Sequence, residues 1–342
     1  MFLHIVGARP NFPKVKPLME EMRKNGIPQK LLHTGQHYDY LMSKVFFSEL
    51  NIPVPDFHLD GCLGKTHAEQ TGNMMIELEK VFEELKPRAI IVYGDINSTL
   101  SASLAAVKLH IPIIHIESGL RSFDRKMPEE INRVLVDHIS NYLFCIDSTS
   151  VDNLKNEGIT DGVHLSGNLM IDTLRMMDLE YNPTDSVLMT LHRPSNVDDK
   201  NKLFKILNDI NSLNEKVLFP AHPRVSKMID NQKFDNIKVV EPMGYKEFVT
   251  NLKNCKYAIS DSGGVQCEAS VLNTPLITLR DSSEHPDTIK FGTNTLCPDS
   301  SEIKNINLKY YELIDYSPKI WDGKSAQRIV EVIGGILLRL FK

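Results

Sequence analysis

A pair of Rossmann-like α/β domains facing a cleft is the fold class this sequence predicts. Three observations carry that expectation. At 342 residues the chain is long enough for two domains of the usual ~150. Short apolar runs alternate with longer helical patterns from end to end, which is βαβ logic with a parallel sheet. The rhythm breaks once, near residues 165–185, and then restarts.

Phe2–Val6 is a short apolar run around His4, as a strand buried on both faces favours. Gly7–Pro10 turns it into the amphipathic stretch Lys14–Lys24. Lys30–His33, Ala89–Val92, Ile111–Ile116 and Tyr142–Ile146 are further strands, each bounded by turn or polar residues. Between them, His67–Leu85 and Ser98–Leu109 repeat apolar residues at helical spacing. Leu165–Met177 departs from this rhythm, and Leu179–Asp185, polar and containing a proline, has the look of a linker. The alternation resumes with strand Val187–Leu191, helix Lys200–Leu213, strands Lys216–Pro220 and Ile237–Val240, and helix Tyr245–Asn254. Strand Tyr257–Ser260, helix Gly264–Leu272 and strand Pro275–Leu279 complete it. The expected domains are 1–175 and 185–324. Ligands of open α/β sheets bind beyond the carboxyl ends of the strands, so the loops there are the candidate site.

Composition excludes several classes. With 42% apolar and 24% charged residues the chain is neither disordered, collagenous nor a disulfide mini-fold. Lys and Arg number 39 against 44 Asp and Glu, a net charge of −5, so nucleic acid and an anionic membrane are not expected partners. An anionic small molecule fits, because local clusters make phosphate pockets. The five cysteines (62, 145, 255, 267, 297) form no CxxC, and the nearest two are twelve residues apart. They are expected as small hydrophobes in a reduced cytoplasm. The opening Met-Phe-Leu-His-Ile-Val lacks a basic region and a cleavage site, so no signal peptide is expected. Even the apolar tail 329–341 is broken by Glu331 and Arg339, so no membrane span is expected either. A soluble cytoplasmic protein follows.

Several segments can carry chemistry. Residues 6–14, Val-Gly-Ala-Arg-Pro-Asn-Phe-Pro-Lys, form neither a dinucleotide fingerprint nor a Walker A loop. They place Arg9 and Lys14 at a strand end and a helix start, where an anion sits; the plainer alternative is a solvated basic turn. Residues 260–269, Ser-Asp-Ser-Gly-Gly-Val-Gln-Cys-Glu-Ala, lead a strand into a turn and a helix. Gly263 and Gly264 let backbone approach a ligand, and free N–H groups with the helix dipole favour phosphate, against a bland Ser262-capped helix. Glu268 can accept from ribose hydroxyls. Asp95 and Glu117 fall at strand carboxyl ends, where converging carboxylates divide acid from base. Asp95 is also a candidate N-cap, and Glu129 and Glu130 suit the dipole of the helix they open. His192 and His222 each follow a strand, where a cation can hold a departing diphosphate. No metal is expected: HxH and HExxH are absent, and His33 and His37 fall in a loop. Nor is there a GxSxG elbow for nucleophilic catalysis.

Together these segments resemble the non-hydrolysing UDP-N-acetylglucosamine 2-epimerases. The matching stretches are GARPNFPK (7–14), HTGQHYD (33–39), YGDINSTL (93–100), HIESGLRSFDRKMPEEINR (115–133), SGNLMIDTL (166–174), TLHRPSN (190–196), SDSGGVQCEA (260–269) and GTN (292–294), in family order. The resemblance implies a fold of the glycosyltransferase-B type, a homodimer, and a final helix within 325–342 packing back on the N-terminal domain. It implies inversion of C2 of UDP-GlcNAc to give UDP-ManNAc for polysaccharide biosynthesis, without a cofactor. The family route eliminates UDP to a 2-acetamidoglucal and re-adds it after protonation on the opposite face. Acid and base duties then fall on Asp95, Glu117 and Glu129 in the N-terminal domain. His192, Arg9, Ser262 and Gly264 stabilise the departing diphosphate, with electrostatics as the largest contribution. Lys14 supports the acidic cluster or the sugar, Glu268 takes the ribose, and the Phe248 region flanks uracil in a UDP-binding C-terminal domain. Further substrate contacts are implied at Arg133, His222, Met243, Gly263 and His285.

The chain departs from many members at four places. Asn11 replaces a Glu (a GARPNF subgroup shares this), Cys267 replaces a Glu, and Ser283-Glu284-His285-Pro286 replaces Thr-Glu-Arg-Pro. A neutral His285 weakens phosphate or sugar contacts, and Lys65-Thr66 replaces an Arg-Gln pair of the activating second UDP-GlcNAc site of bacterial members. One alternative keeps the chemistry and changes the sugar, to UDP-2,3-diacetamido-glucuronate or a 6-deoxy amino sugar. A glycosyltransferase of the same fold is disfavoured by three carboxylates in one cleft. A non-catalytic UDP-sugar sensor is disfavoured by intact Asp95, Glu117, Glu129 and His192.

Overall fold

The computed structural model describes residues 1–36, 47–59, 66–229, 233–290, 292–306, 308 and 319–339, with side chains to 335; His37, Cys62 and Lys65 lie outside them. The chain divides into two compact units, Met1–Met176 with Ile320–Lys342, and Met177–Lys319.

In the first unit the strands are β1 (Phe2–Val6), β2 (Gln29–His33), β3 (Phe57–His58), β4 (Ala89–Tyr93), β5 (Ile113–Ser118), β6 (Tyr142–Cys145) and β7 (Val163–Leu165). They pair in parallel, in the order β3-β2-β1-β4-β5-β6-β7. The connecting helices are α1 (Phe12–Lys24), α2 (His67–Leu85), α3 (Asn97–Lys108), α4 (Pro128–Ile139), α5 (Ser148–Asn156) and α6 (Leu169–Met176). All of β1 and β4 is buried, and Leu3, Ile5, Ile90 and Val92 share a core with Met74, Leu78 and Phe82 of α2. α2 starts at a capping box: the Glu69 N–H donates to Thr66 Oγ1, while the Thr66 N–H donates back to the Glu69 carboxylate, both at 3.2 Å. A final helix, Ser325–Arg339, packs on α1 and α6, its start capped by the buried Asp172 carboxylate accepting the Ala326 N–H at 2.7 Å.

β5 differs from its sequence expectation. Pro112 has no N–H to give, and the Ile111 N–H closes α3 onto the Ala106 carbonyl at 3.0 Å, so the strand begins at Ile113. It continues past Ile116 through a register shift to pair Ser118 with Cys145. Glu117 therefore lies within the strand at a bulge, not in the loop after it.

A buried histidine makes this unit acid-sensitive. His4 on β1 is wholly buried, with Nε2 2.8 Å from Gln29 Oε1 and Nδ1 2.6 Å from the Tyr93 hydroxyl. Gln29 Nε2 donates to the Met19 carbonyl, so its oxygen faces His4; Nε2 then donates and Nδ1 accepts from Tyr93. Burial lowers the imidazole pKa to about 4, with the Gln29 bond opposing. Above pH 6.5 the ring is neutral in both folded and unfolded chains and adds no pH dependence. As pH falls through 6.5 toward 4 the unfolded chain binds a proton that the folded one refuses, costing about 3 kcal/mol over the window. His4→Gln should therefore lose less stability than the wild type between pH 7.5 and 4.5 in urea unfolding. Equal losses would contradict this.

The second unit holds β8 (Val187–Thr190), α7 (Pro194–Val197), α8 (Lys200–Asn211), β9 (Val217–Pro220), α9 (Pro223–Ile229), β10 (Ile237–Val240) and α10 (Tyr245–Asn254). It continues with β11 (Tyr257–Ser260), α11 (Gly263–Leu272), β12 (Leu276–Thr278), α12 (Pro286–Lys290) and β13 (Asn294–Leu296). Its parallel sheet has the order β10-β9-β8-β11-β12-β13, over a core that includes Met189, Leu203, Ile206, Phe219 and Ile259. Strand order reverses between β1 and β4 in one sheet and between β8 and β11 in the other, and the loops leaving those strands are binding crevices by topology. They begin at Gly7 and Gly94 in the first unit, and at Leu191 and Asp261 in the second.

Cys145, Cys255, Cys267 and Cys297 are unbridged, and burial pushes the Cys255 thiol up to about 12, as inert packing requires. Among the described residues no helix is long and apolar enough to cross a membrane, and no group of three or more His, Cys, Asp or Glu is gathered for a metal.

Candidate active site

At the crevice of the first unit, the loop after β1 packs without room for side chains. A Cβ on Gly7 would stand 2.1 Å from Ser98 Oγ and 2.4 Å from Thr34 Oγ1. Asn11 Oδ1 accepts the N–H groups of Gly7 and Ala8 at 3.0 and 3.2 Å, and its amide donates to the Tyr93 carbonyl at 3.1 Å. The departure at Asn11 thus has a physical use: it fastens the Arg9 turn to the end of β4. Arg9 is half-buried on that turn.

Lys14 is buried on α1, and its ammonium is paired with the Glu117 carboxylate. Glu117 holds φ +72°, a left-handed backbone rare for a residue with a side chain. Gly94, at φ +65°, faces this pair, and a Cβ there would stand 3.2 Å from Glu117 Oε2 and 3.4 Å from Lys14 Nζ. Asp95 follows. It is not the N-cap of α3, a place taken by Ile96; its carboxylate pairs with Arg133 instead. Arg133 also donates to Glu130 at 2.8 Å, and Asn132 donates to the Asp95 carbonyl at 2.8 Å. Glu130 is buried and accepts from the Ser122 N–H and hydroxyl and the Phe123 N–H at 2.9 to 3.0 Å. The exposed acid of the two is Glu129, on the first turn of α4. Asp95 and Glu117 are thus brought to adjoining strand ends, each with its own cation, and Arg133 serves as the partner of Asp95.

Beneath them lies a network that sequence reasoning missed. His115 Nε2 donates to the Gly94 carbonyl at 2.9 Å, and its Nδ1 lies 2.7 Å from Asp137 Oδ1. Asp137 Oδ2 accepts the Gly119 N–H at 3.1 Å and Arg121 Nη1 at 2.7 Å, and Arg121 grips Glu157 with two bonds of 2.7 Å. Burial alone would raise the Asp137 carboxyl, but His115 and Arg121 outweigh it and hold it below the usual range.

In the second unit the crevice is built on Asp261. This wholly buried carboxylate accepts the His192 N–H on both oxygens (3.1 and 3.2 Å), the Arg193 N–H at 3.0 Å and Asn196 Nδ2 at 3.1 Å. His192 Nδ1 stands 3.2 Å from it while the ring is largely exposed. Ser262 opens α11 without a side-chain cap bond, so the bland capping reading is not realised. A Cβ on Gly263 would stand 2.4 Å from Glu284 Oε1, so a side chain there would displace that carboxylate. Burial would raise the Glu284 carboxyl, but His285, Arg280 and Arg193 together hold it far below the usual range; Arg280 lies at 2.6 Å and Arg193 at 3.4 Å. His285 is buried beside them, its N–H donating to Ser283 Oγ at 2.9 Å. Glu268, on the inner face of α11, accepts the Tyr245 hydroxyl at 2.7 Å. Burial and that carboxylate push the Tyr245 phenol well up. Phe248 is half-buried against the core that includes Leu252 and Val265, Met243 lies 3.7 Å from Asn251 Nδ2, and His222 is exposed ahead of α9.

Two parallel sheets, with paired carboxylates at strand ends in one unit and a glycine-opened helix start in the other, define an α/β protein of two Rossmann-like units. Residues 20–334 match the family described as UDP-N-acetylglucosamine 2-epimerase. The UDP-N-acetylglucosamine 2-epimerase of Methanocaldococcus jannaschii is 41% identical, over 96% of this chain and 97% of that protein. The UDP-2,3-diacetamido-2,3-dideoxy-D-glucuronate 2-epimerase of Pseudomonas aeruginosa is 40% identical, over 86% of this chain and 87% of that one. The crystal structure of the M. jannaschii UDP-GlcNAc 2-epimerase in complex with UDP-GlcNAc and UDP superposes with a TM-score of 0.89, at 39% identity, covering 98% of this chain and 99% of the other. The chain belongs to the UDP-N-acetylglucosamine 2-epimerase family, and its fold is of the glycosyltransferase-B type.

Proposed function

We propose that this chain is an isomerase that interconverts UDP-GlcNAc and UDP-ManNAc without hydrolysing either. The observation that carries the proposal is the pair of carboxylates at the ends of β4 and β5, Asp95 with Arg133 and Glu117 with Lys14. Family membership and relatives of about 40% identity support the substrate. C2–H of the sugar is poorly acidic, so the route is elimination. A carboxylate takes the C2 proton, the C1–O bond breaks, and UDP departs with the electron pair, leaving 2-acetamidoglucal. An acid on the opposite face then returns a proton to C2 while the UDP oxygen re-forms the bond to C1. Asp95 and Glu117 divide these duties with Glu129, whose exposed place on α4 leaves it free to meet a ligand.

The second unit supplies the UDP site: Ser262, Gly263 and Gly264 at the start of α11, with His192, receive the diphosphate. Glu268 takes the ribose, and Phe248 and Met243 lie by the base. Arg9, His222 and His285 complete the contacts, and Lys14 and Arg133 hold the two acids. The enzyme is a cytoplasmic homodimer, serving polysaccharide biosynthesis.

Proton NMR of the purified protein with UDP-GlcNAc in deuterated water tests the reading. The expected result is a UDP-ManNAc anomeric signal with deuterium at C2. Free ManNAc with UDP would replace it with a hydrolase, and no change would move the reaction to another UDP-linked amino sugar.

A further inference from the structure

The buried network under the two acids touches both of their backbone segments. Gly94 answers to β5 through both its peptide groups: its N–H donates to the Ile116 carbonyl at 3.0 Å, and its carbonyl accepts from His115 Nε2 at 2.9 Å. On the other side of Glu117, the Gly119 N–H is held by the same Asp137 that orients His115. Gly94, Glu117 and Gly119 all lie in the left-handed region, at φ +65°, +72° and +78°. Only surrounding contacts keep Glu117 there. The His115 ring is fully buried, and because a carbonyl can only accept, Nε2 is the nitrogen that donates to Gly94 while Nδ1 faces Asp137.

We propose that His115, oriented by Asp137, is a positioning residue of the epimerisation, clamping the Gly94–Asp95 turn against the Glu117 bulge so that the two carboxylates keep a fixed separation. The clamp rests on the proposed reaction for its kinetic consequence but on geometry alone for its existence. Reacting groups displaced by an ångström lose about 100-fold in rate, and this is the effect expected on kcat when the clamp is removed. Arg121 and Glu157 complete the charge balance around Asp137 but do not touch the turn.

The test compares His115→Gln, Asp137→Asn and the wild type in the UDP-GlcNAc assay, with UDP titration and thermal melting alongside. His115→Gln should lose about 100-fold in kcat while KM and the UDP Kd stay near wild type. Asp137→Asn should lose less. Its amide can rotate to offer N–H₂ to Nδ1, leaving Nε2–H on the Gly94 carbonyl and an amide oxygen for Gly119. A merely structural core would give the reverse order, the broken charge cluster of Asp137→Asn being the more damaging; that order, or a wild-type kcat in His115→Gln, overturns the clamp. Nitrogen-15 spectra of histidine-labelled wild type decide the matter if His115→Gln does not fold. Hydrogen on the His115 Nε2 is expected, and a bare Nε2 overturns the proposal. Absence of turnover by the wild type would instead overturn the proposed reaction, and the spectra would still report on the clamp.

Discussion

Glu117→Gln is expected to lower kcat for UDP-GlcNAc by about 10³, the usual worth of a positioned acid or base, while the UDP Kd shifts less than about twofold. The substitution keeps shape and removes the capacity to exchange a proton. UDP affinity is spared because the diphosphate and ribose contacts are proposed on α11, in the other unit. The change also leaves Lys14, buried on α1, facing an amide in place of its carboxylate, which costs about 1–3 kcal/mol. Lost stability and lost chemistry can be separated. The double variant Lys14→Met/Glu117→Gln removes the stranded cation and should melt above the single variant, because a buried ammonium without its counter-charge costs more than a buried neutral amide. Its kcat should stay as low as that of Glu117→Gln. Recovery of turnover together with stability would make Glu117 a structural partner of Lys14 and nothing more.

The strands around this site are legible because a doubly covered parallel strand favours an apolar run: β4 is one throughout, β1 is interrupted only by His4, and β11 only by its final Ser260. The Gly94-Asp95 turn and the Ser262-Gly263-Gly264 turn follow such runs and so declare themselves. Glu117 is legible as a strand-end acid, but its bulge is not. The offset depends on the register of pairing with β6, which has no local pattern. On α4 the adjacent acids Glu129 and Glu130 are equivalent in composition, and only helix phase separates them. Glu130, Arg133 and Asp137 share one stripe at i, i+3 and i+7, and that stripe is buried. A charged stripe is ordinarily a solvated face, so its burial against Asp95, Ser122 and His115 is visible only in three dimensions. The same stripe also carried the available signal: Val136 beside it marks the inward side of the helix. Asp261 escaped notice because its neighbours, serine and glycine, look like the phosphate loop, while its partners lie 65 to 69 residues away.

That concealed carboxylate carries the other large effect. Asp261→Asn should weaken UDP binding at least about tenfold and destabilise the second unit by about 3 kcal/mol, as expected when buried donors lose their acceptor. An amide has one acceptor oxygen where the carboxylate has two, and here both are engaged. His192 N–H reaches the two oxygens together, Arg193 N–H and Asn196 Nδ2 share Oδ2, and His192 Nδ1 approaches Oδ1. Whichever way the introduced amide turns, its N–H₂ meets at least one of these donors head on. The substitution should therefore be nearly as harmful as Asp261→Ala, although it changes so few atoms. The loss reaches the ligand because these donors are the start of the segment carrying His192 and Arg193. Arg193 in turn donates to the Asp261 carbonyl at 3.1 Å and lies by Glu284 beneath Gly263. Urea unfolding and UDP titration of the two variants check this. A wild-type UDP Kd in Asp261→Asn would mean that His192 and the α11 start keep their places without the carboxylate, and that the nucleotide is held by the helix alone.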